Sequence, residues 1–393
     1  MVSQEPLKRP LVTAGALHWV QKNLFNSWIN SVLTVLGLWL VYAAVRGAVV
    51  FVLGASWDVI PANLTLFMVG TYPRESVWRV WACLYVLSVM LGLSAGLWPG
   101  LVRRIVVSVG LGTVALVLMP FSGSTRLVLL GLLGTGAAGF GLGHWQGARL
   151  QRVAIVAWLL SFPLVVLLLG GVGSSWLPLI NTRQWGGMLL TFLLAIVGIV
   201  VSLPMGVLLA LGRRSNFPAI RLFCVFYIEV IRGVPLITLL FMSRIILPLF
   251  LPDFHISEVI RAMVGITMFS AAYMAENVRG GLQAIPNGQA EAAYVLGLSP
   301  WQSMLLVVLP QALRAVIPAI VGQFIALFKD TSLVSIIGLL DFLNIGQSVV
   351  ANPDWLGLWT EVLAFVAVVY WVFTFSMSRI SQRIEVMLGV GDR

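Results

Sequence analysis

Residues 187–211 read GMLLTFLLAIVGIVVSLPMGVLLAL, an apolar run without a charged side chain. Coiled as a helix at about 1.5 Å per residue, such a run exceeds a hydrocarbon layer of about 30 Å. In lipid, a helix satisfies its own backbone polar groups. Similar runs precede it at 31–53, 80–97, 105–120, 127–142 and 153–169, and follow it at 222–250, 259–274, 305–328 and 358–375. This spacing predicts an all-α, polytopic membrane bundle of about ten transmembrane helices.

Composition agrees. The 393 residues are 60% hydrophobic and 10% charged, and a mean hydropathy of +1.00 is too apolar for a soluble domain. A net charge of +10 in a soluble chain would suggest nucleic acid. Here arginine gathers in short connections, where it sets orientation rather than binding nucleic acid. Placing Lys8, Arg9, Lys22, Arg103, Arg104, Arg149, Arg152, Arg213, Arg214, Arg221, Arg379 and Arg383 inside leaves mainly Arg74, Arg126 and Arg183 outside. Both termini are then expected in the cytoplasm. The basic N-terminus lacks a short apolar core with a small-residue cleavage site, so no signal peptide is expected. Residues 55–76, with Trp57 and Tyr72 followed by Trp78 and Trp81, read as an outer loop with aromatic rings at headgroup level. The polar stretch 173–185 is the natural boundary. The division expected is a tail over 1–30, an extension of about five helices over 31–180, and a five-helix core over 181–393.

Cys83 and Cys224 lie in apolar runs and read as packing residues. His18, His144 and His255 have no acidic or thiol neighbour at ligand spacing, so no metal site is expected. The lysines are Lys8, Lys22 and Lys329, none in a phosphate-binding GxxxxGK[ST] loop. No nucleophile elbow is present either. An intramembrane enzyme therefore has no residues to work with.

Residues 289–300 read QAEAAYVLGLSP, and Val307-Val308-Leu309-Pro310 follows. Glu291, Ala292 and Ala293 suit a short helix with a small face, Gly297 can end it in the left-handed conformation, and Pro310 is tolerated early in the next helix. A polar loop holding such a helix, over 286–302, is a docking surface. The segment resembles the Glu-Ala-Ala…Gly…Leu-Pro motif of binding-protein-dependent ABC importer permeases, departing at Val307, where isoleucine is usual. Residues 227–236 (YIEVIRGVPL), Tyr273-Met274-Ala275-Glu276 and Lys329-Asp330-Thr331-Ser332-Leu333 resemble segments of the polar amino-acid permeases. The likeness covers roughly 187–387. Phe67-Met68-Val69-Gly70-Thr71-Tyr72-Pro73 and Trp78-Arg79 resemble the long-chain subset for general L-amino acids, more weakly.

This resemblance implies a type I ABC importer permease in a bacterial inner membrane, with Glu291, Ala292, Ala293 and Gly297 contacting an ATPase. The implied partners are an ABC ATPase dimer carrying ATP and magnesium, a second and different permease, a periplasmic amino-acid-binding protein, an amino-acid substrate and membrane lipid. No cofactor is expected in this chain.

Ionisable groups inside apolar spans cost about 2.5–3.5 kcal/mol each, so they pair or line a cavity. Glu229 and Arg232 share a helix face, and Gly233 and Pro235 invite a break where backbone groups meet a polar guest. Arg232 either binds a substrate carboxylate or neutralises Glu229. Glu276, one turn beyond Tyr273, either accepts from a substrate ammonium or pairs with Arg279. Asp330, Thr331 and Ser332 suit a buried polar turn on the pathway, with a fixed Lys329–Asp330 pair as the rival reading. An ion-coupled secondary transporter using Glu276 and Asp330 is the alternative function, and it leaves the Glu-Ala-Ala loop unexplained.

Overall fold

The computed structural model describes residues 16–119, 122–250, 253 and 256–389, and the chain forms two compact units, Met1–Asp58 and Val59–Arg393. In the first unit, α1 (Ala16–Leu24) leads into α2 (Trp28–Gly54), an apolar span. Ser27 caps α2 by accepting from the Asn30 N–H, and the Thr34 hydroxyl donates to the Leu24 carbonyl at 2.8 Å. Lys8, Arg9 and His255 lie outside the described residues.

The second unit opens with α3 (Val59–Ala62) and α4 (Leu64–Val69), where the sequence suggests an outer loop. Val59 and Phe67 are fully buried, with the Phe67 ring 5.8 Å from Phe342 and 5.1 Å from Phe365. Tyr72, expected among headgroups, is also buried and donates its hydroxyl to the Leu169 carbonyl at 2.9 Å. An interfacial and a buried tyrosine look alike in sequence; a distant apolar partner and a free carbonyl decide between them. Gly70, at φ +63°, makes the close approach possible, since a Cβ there would lie 2.5 Å from the Gly186 Cα.

Four helices follow: α5 (Val77–Leu97), α6 (Leu101–Leu118), α7 (Gly123–Gln146) and α8 (Gln151–Gly170). Glycines let α5 and α7 pack backbone to backbone; a Cβ on Gly139 would run into the Val89 carbonyl. Arg79 of α5 is 1% exposed and donates to the Pro178 carbonyl at 2.9 Å.

The remaining helices begin with α9 (Gly187–Arg213), which packs along α13 (Glu258–Ala284) with Leu190, Leu194 and Ile266 buried between them. Between these come α10 (Pro218–Gly233), α11 (Leu236–Phe241) and α12 (Leu247–Phe250). The run 222–250, read as one span, is broken by 105° between Gly233 and Leu236. Pro235 has no N–H and forces Val234 into extended backbone, so the helix cannot continue. A π-helical turn at Met242–Ile246 joins α11 to α12. Pro248 cannot donate to the Arg244 carbonyl, and the Arg261 guanidinium takes that carbonyl at 2.7 Å and the Ser243 carbonyl at 3.2 Å.

After α13 come α14 (Asn287–Val295), α15 (Pro300–Ser303) and α16 (Leu309–Asp330), with a second π turn at Met304–Val308, next to Pro310. A 3₁₀ turn, Thr331–Ser335, leads to α17 (Phe342–Val350) and then α18 (Trp359–Leu388). Among the described residues, nine helices are long and apolar enough to span a membrane, and the bent pair counted as one makes ten. Cys83 and Cys224 are both buried and unpaired with each other.

Candidate functional site

Two arrangements stand out, one polar and one apolar, at the two ends of the last third of α13. In the first, Glu276 accepts from Arg279 through Nε at 2.9 Å and through Nη2. Its second oxygen lies 3.6 Å from Arg232 and 3.7 Å from Arg213. Arg213 also reaches Glu229 at 3.1 Å. The Glu229–Arg232 pair suggested by spacing does not form; Glu229 meets Arg213 of α9, and Arg232 turns toward Glu276 of α13. The Glu276–Arg279 pair does form. Arg232 further lies 5.4 Å over the Tyr273 ring, which is tilted against Phe269 with ring centroids 4.8 Å apart. Three guanidiniums and two carboxylates thus nearly cancel in charge at the meeting of α9, α10 and α13, which offsets the cost of holding ions against apolar helices. Arg213 was the member that sequence spacing could not reveal. Gly233 and Pro235 sit exposed at the break beside this cluster.

Asp330, Thr331 and Ser332 stand apart; among the described residues no ion pair or hydrogen bond joins them to the Glu276 group. Thr331 is fully buried and its hydroxyl is spent on the Phe328 carbonyl at 2.7 Å, so it is closed to a passing solute. The Ser332 hydroxyl donates to the Lys329 carbonyl at 2.8 Å. No Lys329–Asp330 ion pair forms, since consecutive residues on a helix point apart. The turn after α16 instead anchors through Asp341, fully buried, which caps α17 by accepting from the N–H groups of Leu343 at 3.0 Å and Asn344 at 3.2 Å. Burial pushes the Asp341 carboxyl up to about 7. Nothing in the local pattern marks Asp341 beyond its place just before a helix.

The second arrangement is α14. Its end is set by Gly297 at φ +81°, a conformation that L side chains resist. Glu291, Ala292 and Gly297 are exposed, as are Tyr294, Val295 (88%) and Leu296. Ala293, expected on the docking face, is buried in the chain's own packing. An amphipathic pattern too short to show its phase in sequence leaves that choice to tertiary contact. Gln311 of α16 ties the helix down, donating to Gln289 Oε1 at 3.0 Å. Tyr294, Val295 and Leu296 thus leave three large side chains bare beside a polar helix.

Residues 202–386 match the family described as the binding-protein-dependent transport system inner membrane component. Along 408 aligned residues, 100% of this chain and 98% of the other, it is 39% identical to the inner membrane amino-acid ABC transporter permease protein YhdY of Escherichia coli K12. The chain belongs to the amino-acid ABC transporter permeases. The permease is also 38% identical to the glutamate/glutamine/aspartate/asparagine transport system permease protein BztC of Rhodobacter capsulatus, over 97% of this chain and 95% of that one. A shorter relative, the glutamate/aspartate import permease protein GltK of Escherichia coli O157:H7, is 37% identical over 49% of this chain and 87% of its own. A crystal structure of an amino acid ABC transporter with histidines is 30% identical, with TM-score 0.46, over 50% of this chain and 90% of that one. The permease is accordingly a multi-pass inner-membrane transport component.

Proposed function

We propose that this permease forms half of the translocation path for small polar L-amino acids of the glutamate and glutamine type, the class that BztC is named for. A second, different permease forms the other half. A dimer of ABC ATPases, carrying ATP and magnesium, docks on the 286–302 loop, and a periplasmic binding protein delivers substrate from the other side. Both termini lie in the cytoplasm, and the chain divides into a tail (1–30), a helical extension (31–180) and the permease core (181–393). The observation that carries the reading is the bare apolar face of α14, ended by Gly297 and joined to α13 and α16.

The path runs beside the break after Gly233, past Pro235, Arg232, Tyr273 and Glu276, and by Asp330 and Ser332. Movement of α14 as the ATPases close reaches the Glu276 cluster directly, because α13 carries both its carboxylate and the loop. A facing state is favoured only to the extent that the closed ATPase binds it better.

The test is ATP-driven uptake of L-glutamine and L-glutamate by the complex co-purified through a tag on this chain and reconstituted in liposomes. Gly297→Pro, which cannot take positive φ, is expected to abolish uptake while membrane insertion stays intact. A cysteine at Ala292 is expected to cross-link to the ATPase. Uptake driven by an ion gradient without ATP, or a cross-link only to externally added reagents, defeats the proposal.

A further inference from the structure

Helices α5 to α8 carry positive charge with no counter-charge of their own. Between Glu75 and Glu229 the sequence holds ten arginines and no acidic residue. Four of the ten, Arg103, Arg104, Arg149 and Arg152, come to one end of these helices through two short connections. Residues 98–100 join α5 to α6, and a single 3₁₀ turn, Gly147–Leu150, joins α7 to α8 and packs against α5. Among the described residues none of the four meets a carboxylate within ion-pair distance.

The two connections are tied together. Gly96 lets α5 and α7 touch there, since a Cβ on it would lie 2.5 Å from the Phe140 carbonyl oxygen. Arg103 of α6 donates through Nε to the Ala95 carbonyl at 3.2 Å and lies 5.3 Å over the Phe140 ring, which stacks on His144 with centroids 6.0 Å apart. One edge of that guanidinium is thus fixed, which leaves its Nη groups for an acceptor outside the chain. Arg104, Arg149 and Arg152 are exposed, as is Trp145 (82%) in the last turn of α7, a residue type that favours headgroup level.

The occupant follows from chemistry and depth. The paired N–H groups of arginine match a phosphate. Connections this short stay at the ends of their spans, so the layer that borders them is the lipid headgroups. Val107 of α6 and Val153 and Val156 of α8 are exposed and offer acyl chains an apolar wall. Membrane orientation is satisfied by arginines anywhere in a loop; it does not require one to be seated on an aromatic ring against the carbonyl of another helix.

We propose that this end of α5–α8 is a binding site for an anionic phospholipid, its phosphate held by Arg103, Arg104, Arg149 and Arg152 and its acyl chains lying on α6 and α8. The inference goes beyond the transport reading under Proposed function and holds whichever substrate is carried.

The test is native mass spectrometry of the complex co-purified through a tag on this chain, released from detergent with either phosphatidylglycerol or zwitterionic phosphatidylcholine. Wild type is expected to retain phosphatidylglycerol at about hundredfold lower concentration than phosphatidylcholine. Arg149→Gln combined with Arg152→Gln, both at exposed positions, is expected to weaken phosphatidylglycerol about thirtyfold, as two charges lost near an anionic headgroup imply, and to leave phosphatidylcholine unchanged. Arg214→Gln combined with Arg221→Gln removes equal charge from the α9–α10 region, at the same membrane face in the orientation given above, and is expected to keep the wild-type preference. Arg149→Lys with Arg152→Lys keeps the charge that fixes orientation and is expected to keep most of the binding. Should the first glutamine pair fail to insert, wild type still decides, because an ionic site loses its preference as ammonium acetate rises from about 0.1 M to about 1 M. A preference that withstands salt, equal loss from the two glutamine pairs, or equal retention of both lipids by wild type overturns the site. Failure of the transport reading shows separately, as absent ATP-driven uptake by the wild-type complex.

Discussion

Glu276 holds three guanidiniums with two oxygens, so an uncharged amide in its place leaves cations crowded against one another at the end of α10. A charge-assisted bond is worth about 1.5–3 kcal/mol, and Glu276→Gln is expected to cost about 2 kcal/mol, seen as a lower thermal midpoint of the purified complex. An unchanged midpoint would mean that water, not Glu276, neutralises the arginines. Asp341 behaves oppositely. Its carboxyl titrates near 7 in the folded chain against an ordinary value of 3.8, so the folded state holds its proton more tightly than the unfolded one. That stabilisation is complete below the ordinary value and is lost as pH rises through about 7. The thermal midpoint is expected to fall across this window, and Asp341→Asn, which still caps α17, to flatten that part of the profile. An equal slope in the variant removes Asp341 as the cause.

At the scale of elements, α5 and α7 meet through glycine with almost no side chain between them. Gly139→Ile would push a branched chain into the Val89 carbonyl, and in membranes it is such close backbone contact that holds helix pairs together. The variant is expected to lower the temperature at which detergent-solubilised protein aggregates, by more than Gly134→Ile, where nothing lies within 4 Å of the added carbon. Equal effects would mean that the pair is held elsewhere. The spans themselves were legible because a hydrocarbon layer demands long apolar helices whatever their neighbours. The break at Pro235 was legible as local backbone chemistry, and so was the end of α14 at Gly297. The partner of Glu229 and the inward turn of Ala293 were not, since each depends on how separate elements pack against one another. The burial of Tyr72 escaped for the same reason, its acceptor being 97 residues distant.

For the whole molecule, the decisive contact is Phe67 seated among Phe342, Phe365 and Val366, with Val59 beside it. The shorter relative GltK matches this chain over 49% of its length. Here the second half leaves an apolar hole around α17 that α3 and α4 fill. Phe67→Ala is expected to cost about 3–5 kcal/mol, the range for emptying an aromatic site in a packed core, and to lower uptake, because α17 lies directly after the turn of Asp330 and Ser332. A chain starting at residue 181 is expected to insert but to aggregate on extraction, as exposed patches of that kind do. The measurement is size-exclusion chromatography beside full-length protein in the same detergent. A monodisperse truncated core with the full-length thermal midpoint would show that α3 and α4 only rest on the core, and the loss expected for Phe67→Ala would then have to vanish too.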